Sequence, residues 1–144
     1  MTEFSSALLM FIRARHAETR IHDAVRAAGH EDLSPAMARI CGQVAEEGSR
    51  VTELAERAQI TKQSASALVE QLERSGYVTR VQDGTDARAK LVTLAARGRE
   101  AQRVARREEQ AIEREWTRHL GADRMRALRA ALAALRPITD PYIN

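Results

Sequence analysis

Lys62, Gln63, Ser64, Ser66 and Ala67 crowd the first turns of one apolar-periodic segment, and Arg80, Arg88 and Lys90 follow close behind. Ammonium and guanidinium groups bind phosphate. Short polar side chains at a helix N-terminus let backbone N–H groups and hydroxyls approach a phosphate or a base edge. This is the chemistry of polyanion recognition rather than of bond making. The sequence has no Gly-rich phosphate loop, no nucleophile motif and no paired-carboxylate signature, so no catalytic residues and no cofactor are expected.

Two other groups of residues could do chemistry. Cys41 is the single cysteine, which excludes an internal disulfide and a cysteine-based zinc site. It lies on an apolar stripe with Met37 and Val44 and no evident basic neighbour, so it is read as core filler rather than a sensing thiol. His16, His22, His30 and His119 have no HxxxH or HxxE spacing, and they are read as surface residues rather than a metal site.

The candidate residues need elements that position them. Phe4–Ala28 is helical in pattern, with Gly29 as its stop. Ser34-Pro35 opens a second helix whose stripe of Met37, Ile40, Cys41 and Val44 runs toward Gly48. A short helix covers Thr52–Ala58, and Thr61 caps the next, which runs to about Arg74. The stretches 77–81 and 90–94 are rich in β-branched residues, and the polar loop 82–86 between them carries an Asp-Gly turn signal. Helical spacing returns from Ala96 to Gly121 and again from Met125 to Pro137. Four helices, a hairpin and two helices form one expected domain over 1–144, mainly helical in class.

Val51–Leu72 is the centre of this reading. Two short helices that cross steeply need a small residue where they approach, and Ala55 supplies it among Leu54, Ala58 and Ile60. Ala65, Leu68, Val69 and Leu72 form the inner face of the second helix, which leaves Lys62, Gln63, Ser64, Ser66 and Ala67 outward, a face suited to a major groove. The segment alone also fits an ordinary helical bundle that binds a protein partner. A basic hairpin directly after Gly76 favours the winged helix-turn-helix.

Charge follows the same division. Residues 61–99 carry seven Lys/Arg against four acids, whereas residues 31–60 carry three Arg against six acids, on a chain of net charge +3. With 44% hydrophobic and 30% charged residues the chain reads as globular rather than disordered. No apolar run reaches the ~20 residues of a membrane span. The apolar stretch in Met1–Ile12 lacks the basic flank and cleavage-like site of a secretory signal, which points to the cytoplasm.

Over residues 33–98 the sequence resembles the MarR (multiple antibiotic resistance regulator) family of winged helix-turn-helix transcriptional regulators. The resemblance rests on Leu33-Ser34, Leu54-Ala55, Leu72-Glu73, Gly76-Tyr77-Val78 with Arg80, Asp86-x-Arg88, and Leu94 with Gly98. It implies a two-stranded β wing and a homodimer built from long terminal helices over 4–28 and 100–136. It also implies a pseudo-palindromic double-stranded DNA operator, and a repressor released by a small anionic or aromatic effector. In that family pattern Arg88 is the wing arginine at the minor groove and Asp86 the acid that holds it. Ser64, Ser66 and Ala67 face the bases after Lys62 and Gln63, and Arg80 and Lys90 flank the wing. Arg15, His16 and Arg20 would line the effector crevice, although exposed helix charges account for them better. Two positions depart from the pattern. Ala67 stands where a larger polar residue is usual, which implies fewer base contacts or an apolar contact to a thymine methyl. Ala95 replaces a Thr, which implies that the helix after it lacks a side-chain cap.

Trp116, with Ile112 and Leu120, is expected to be buried between the terminal helices, and Arg103–Arg118 is expected to form a solvated face of i, i+4 pairs.

Overall fold

The computed structural model describes residues 3–140, apart from the side chain of Ala87; Met1 and Thr2, at the start of the apolar N-terminal stretch, lie outside it. Helices α1 (Ser6–Ala27), α2 (Pro35–Gln43), α3 (Val51–Ala58) and α4 (Lys62–Arg74) come first. The antiparallel strands β1 (Val78–Asp83) and β2 (Asp86–Leu94) follow, and then α5 (Ala96–Leu120) and α6 (Ala122–Thr139). The architecture is mainly helical with a two-stranded wing, in the expected order. Contacts divide the chain into one unit up to Glu108 and a second from Glu109.

Local chemistry sets most boundaries. Ser5 Oγ accepts from Leu8 N–H at 3.2 Å and starts α1, and Gly29 at φ +108° follows its end. Ser34 Oγ accepts from Met37 N–H at 3.1 Å, with Pro35 as the first helical residue of α2. Helix α2 stops at Gln43 rather than near Gly48, because Val44 is already extended while its side chain stays buried. The cause is long-range. Ser49 N–H donates to Val92 O at 2.9 Å and Val92 N–H donates to Ser49 O at 2.8 Å, so the chain must leave the helix to join the wing's ladder.

The strands also run further than their β-branched cores, and the turn narrows to Gly84-Thr85. Pro137 does not stop α6. It lies in the last turn, where it removes a single N–H with only two helical residues after it.

In the first unit the core lies where α2, α3 and α4 converge under the wing. Ile40, Leu54, Val69, Leu72 and Tyr77 are all fully buried in it. Each such aliphatic side chain contributes roughly 1.5–3 kcal/mol through its removal from water. Ala55 is buried at the α3–α4 approach. Cys41 is buried in the same core, and burial pushes its thiol up to about 11, which keeps it protonated and inert at neutral pH.

One histidine departs from the surface reading. His30 is buried, with Nδ1 3.2 Å from the Tyr77 hydroxyl. The Tyr77 O–H donates to Asp32 Oδ1 at 2.5 Å, so Nδ1 of His30 is the nitrogen that donates to the phenol oxygen. Arg97 closes the arrangement. Its Nη1 donates to Asp32 Oδ2 at 2.9 Å and to Ser75 O at 2.8 Å, and its guanidinium carbon lies 4.3 Å from the Tyr77 ring centroid. The Tyr77 hydroxyl, with the Arg97 guanidinium in support, holds the Asp32 carboxyl below its ordinary range.

Tyr77→Phe removes the donor to Asp32 and leaves the His30 N–H without its acceptor. We expect a loss of ~1–3 kcal/mol in urea denaturation, in line with a buried hydrogen bond to a charged group. A depressed carboxyl stabilises the fold above its unfolded-state value, and that contribution is lost as pH falls through the lowered folded value. The variant should therefore lose less stability than the parent between neutral and acid pH. Equal stability and equal acid sensitivity would contradict the role given to Tyr77.

Candidate nucleic-acid interface

Two helices and the hairpin build the surface. Helix α3 ends at Ala58, and Gln59 after it turns the chain at φ +58° and donates its N–H to Glu56 O. Ile60 then packs inward and Thr61 caps α4. Thr61 Oγ1 accepts from Ser64 N–H at 3.1 Å, and its hydroxyl donates to Ser64 Oγ at 2.9 Å. Inward, α4 presents Ala65, Val69 and Leu72, spaced i, i+4, i+7 and fully buried. That leaves Lys62, Gln63, Ser64 and Ala67 exposed at its N-terminal end, with Ser66 half-buried at the edge of the same face. These five side chains are short or flexible around a helix N-terminus, where the peptide dipoles favour anions.

The wing sorts the basic residues. Arg88 and Lys90 are exposed on β2. Arg80 sits lower on β1, half-buried, with Nε 3.8 Å from the Glu73 carboxylate in the last turn of α4. Asp86 meets Arg88 through the main chain, its Oδ1 accepting the Arg88 N–H at 3.0 Å. Val78 to Gln82 pair in register with Leu94 to Lys90, and Asp83 then pairs with Asp86. The register shift leaves residues 87–89 of β2 opposite no residue of β1, and Arg88 stands in the middle of that outpouching.

Sequence reasoning missed a second constellation beside these residues. Arg50, just before α3, donates from Nε and Nη2 to Asp83 Oδ2 at 3.2 and 2.7 Å. Asp83 Oδ1 accepts from the Thr85 N–H and hydroxyl at 2.9 and 2.7 Å. The Thr85 N–H, with the Arg50 guanidinium in support, lowers the Asp83 carboxyl to about 2. Arg50 and Asp83 are 33 positions apart, and no local pattern links them.

Elsewhere, Arg15 and His16 are exposed on α1, while Arg20 is half-buried and donates from Nη2 to Glu108 Oε1 on α5 at 3.0 Å. On the charge-dense stretch of α5, Glu113 pairs with Arg129 of α6. Trp116 is half-buried. Among the described residues, no cluster of three or more His, Cys, Asp or Glu could hold a metal ion. No helix among them is long and apolar enough to cross a membrane.

A helix pair packed around the buried Ala55, a capped second helix with a polar outer face, and a basic hairpin tied to both make this a winged helix-turn-helix protein. Residues 31–89, which carry the helix-turn-helix and most of the wing, match the model of the MarR family. No curated protein matches its sequence. Among solved structures it is similar to the transcriptional regulator SlyA, with a TM-score of 0.78 at 17% identity over 94% of this chain and 95% of that one. It is also similar to NadR in complex with 4-hydroxyphenylacetate, with a TM-score of 0.70 at 25% identity over 94% and 95%. A third similar structure is the S. aureus MepR–DNA complex, with a TM-score of 0.71 at 18% identity over 92% and 97%.

The cap is the simplest part of this surface to test. Thr61→Ala leaves the Ser64 N–H without its acceptor and should cost ~1 kcal/mol of stability. Thr61→Ser should keep most of it, and equal midpoints for parent and alanine variant in denaturant unfolding would show that the cap contributes nothing.

Proposed function

We propose that this chain is a MarR-type transcriptional regulator that binds double-stranded DNA sequence-specifically as a cytoplasmic homodimer and acts as a repressor released by a small anionic or aromatic effector. The observation that carries the reading is that one unit holds both the exposed N-terminal face of α4 and the exposed Arg88 and Lys90 of the wing. Lys62, Gln63, Ser64, Ser66 and Ala67 would face the major groove, with Arg88 at the minor groove or backbone and Arg80, Asp86 and Lys90 around it. The MepR structure with DNA supports the nucleic-acid partner, and NadR with 4-hydroxyphenylacetate supports an anionic aromatic effector. For the effector, Arg15, His16 and Arg20 are the residues to vary first.

Dimerisation has its own support. Leu8, Leu9, Met10, Phe11 and Ile12 are consecutive on α1 and each at least 38% exposed. At 3.6 residues per turn, five consecutive residues point all round the helix, so one face packed on the chain itself cannot cover them. Leu132 and Leu135 of α6 are also exposed. A second copy of the chain, related by a two-fold axis, is the simplest cover. Sedimentation at micromolar concentration should show a dimer, and a monomer alone would remove this part of the reading.

Selection of bound fragments from random duplex DNA tests the function. We expect an inverted repeat with half-sites about 10–11 base pairs apart, centre to centre. On the selected duplex, Arg88→Ala should weaken binding at least ~10-fold with little change in melting temperature, and affinity should fall steeply with salt. Candidate aromatic acids added to the same selection should release the protein. Failure to enrich any duplex would instead favour a helical module that binds a protein partner.

A further inference from the structure

Strand β1 does not keep the alternation of a half-buried strand. Val78 is buried, Thr79 exposed, Arg80 half-buried and Val81 exposed, which would turn Gln82 inward. Gln82 is exposed instead, and Asp83 is the buried residue. The register shift between Gln82 and Asp83 produces the change, and the carboxylate it turns inward is the one that Arg50 holds. Both carboxylate oxygens are engaged, one by Arg50 and one by Thr85. Arg50 occupies the N-cap position of α3 and makes no side-chain cap there. A residue placed where Ser, Thr, Asp or Asn would serve the helix reaches across to the wing instead.

This contact attaches the wing near its tip, beyond the Arg80–Glu73 pair and the Tyr77–Leu72 hydrogen bond lower on the hairpin. The backbone pairing of Ser49 with Val92 also lies near the hairpin's base. A hairpin held only at its base pivots; a second contact near its tip fixes its angle. The tip carries Arg88, in the outpouching made by the same register shift.

We propose that Arg50 and Asp83 are positioning residues for DNA binding: their ion pair locks the wing tip to the start of α3, so that Arg88 and the α4 face meet DNA as one rigid surface. The proposal rests on the reading that the wing contacts DNA. Ordering a loose wing tip on binding costs conformational entropy, so opening the pair should weaken affinity by about fivefold.

Electrostatics alone predicts the opposite sign for one of the two residues. Asp83→Asn removes a negative charge from the DNA-facing unit and should tighten binding if Asp83 is only a charge. It retains an acceptor for Thr85 but sets an amide N–H₂ or a neutral oxygen against the Arg50 guanidinium. The experiment measures the affinity of Asp83→Asn, Arg50→Met and the double variant for a duplex of about 30 base pairs, three helical turns, drawn from the selection above. Arg88→Ala serves as control, and each variant's melting temperature and Thr85 amide hydrogen exchange are recorded.

We expect both single variants to bind about fivefold more weakly and the double variant to bind no worse than the weaker single, since the pair opens only once. Faster Thr85 amide exchange should appear at nearly unchanged melting temperature. Should Asp83→Asn fail to fold, Arg50→Met with its Thr85 exchange carries the test, and unchanged exchange overturns the proposal. Equal or tighter binding by folded Asp83→Asn, with Arg88→Ala still weak, overturns the positioning role and leaves the wing reading intact. Undiminished binding by Arg88→Ala removes the wing reading itself, and the positioning role with it.

Discussion

Gly98 must lack a side chain, because a Cβ there would lie 2.1 Å from the carbonyl oxygen of Tyr77. That approach brings the first turn of α5 against the start of β1, where Ala95 N–H donates to the same carbonyl at 2.9 Å. Tyr77 is thereby held from its backbone by α5, while its ring lies fully buried and its hydroxyl reaches Asp32 in the α1–α2 turn. Any side chain at position 98 would have to push α5 off the wing root. The Tyr77 ring would then leave the core, and the Asp32–Arg97 pair would lose the donor between its members and His30.

The same residue ties α4 to the wing. Helix α4 ends at Arg74, Gly76 turns at φ +81°, and the Tyr77 N–H donates back to Leu72 O at 2.9 Å. Three residues therefore separate a helix from a strand with no slack between them. The exposed face of α4 and the root of β1 cannot move independently, whereas the wing tip, eight residues further on at Thr85, has no such tether at its root. Rigidity at the tip has to come from elsewhere, and Arg50 is the side chain that reaches it.

What could be read from the sequence follows from the range of the interactions. Ser34-Pro35, Thr61 and Gly29 act within one helical turn, so their residue types were enough to place the ends of α1, α2 and α4. The inner stripe of α4 was equally legible, because Ala65, Val69 and Leu72 are periodic. The early end of α2 was not, since it depends on Ser49 meeting a strand 43 positions later. His30 looked like a surface residue because nothing nearby in sequence announces Tyr77, 47 positions away. The candidate site was legible as a set of outward cations and short polar side chains. The residue that orients the wing tip was not, because Arg50 lies in the acidic segment and Asp83 reads as an ordinary turn residue.

Net charge is a poor guide to how this surface would meet a polyanion. Of the arginines in the first unit, Arg50 is committed to Asp83, Arg97 to Asp32, Arg80 to Glu73 and Arg57 to Glu53. Lys62, Arg88 and Lys90 have no carboxylate within ion-pair distance among the described residues, and all three are exposed. A committed guanidinium must give up a carboxylate before it can take a phosphate, so it contributes little to counterion release. An uncommitted one exchanges only water and salt. The acidic groups of this unit thus do more than offset positive charge. They fix some arginines in structural contacts, while Lys62 at the start of α4 and Arg88 and Lys90 on the wing have no such partner.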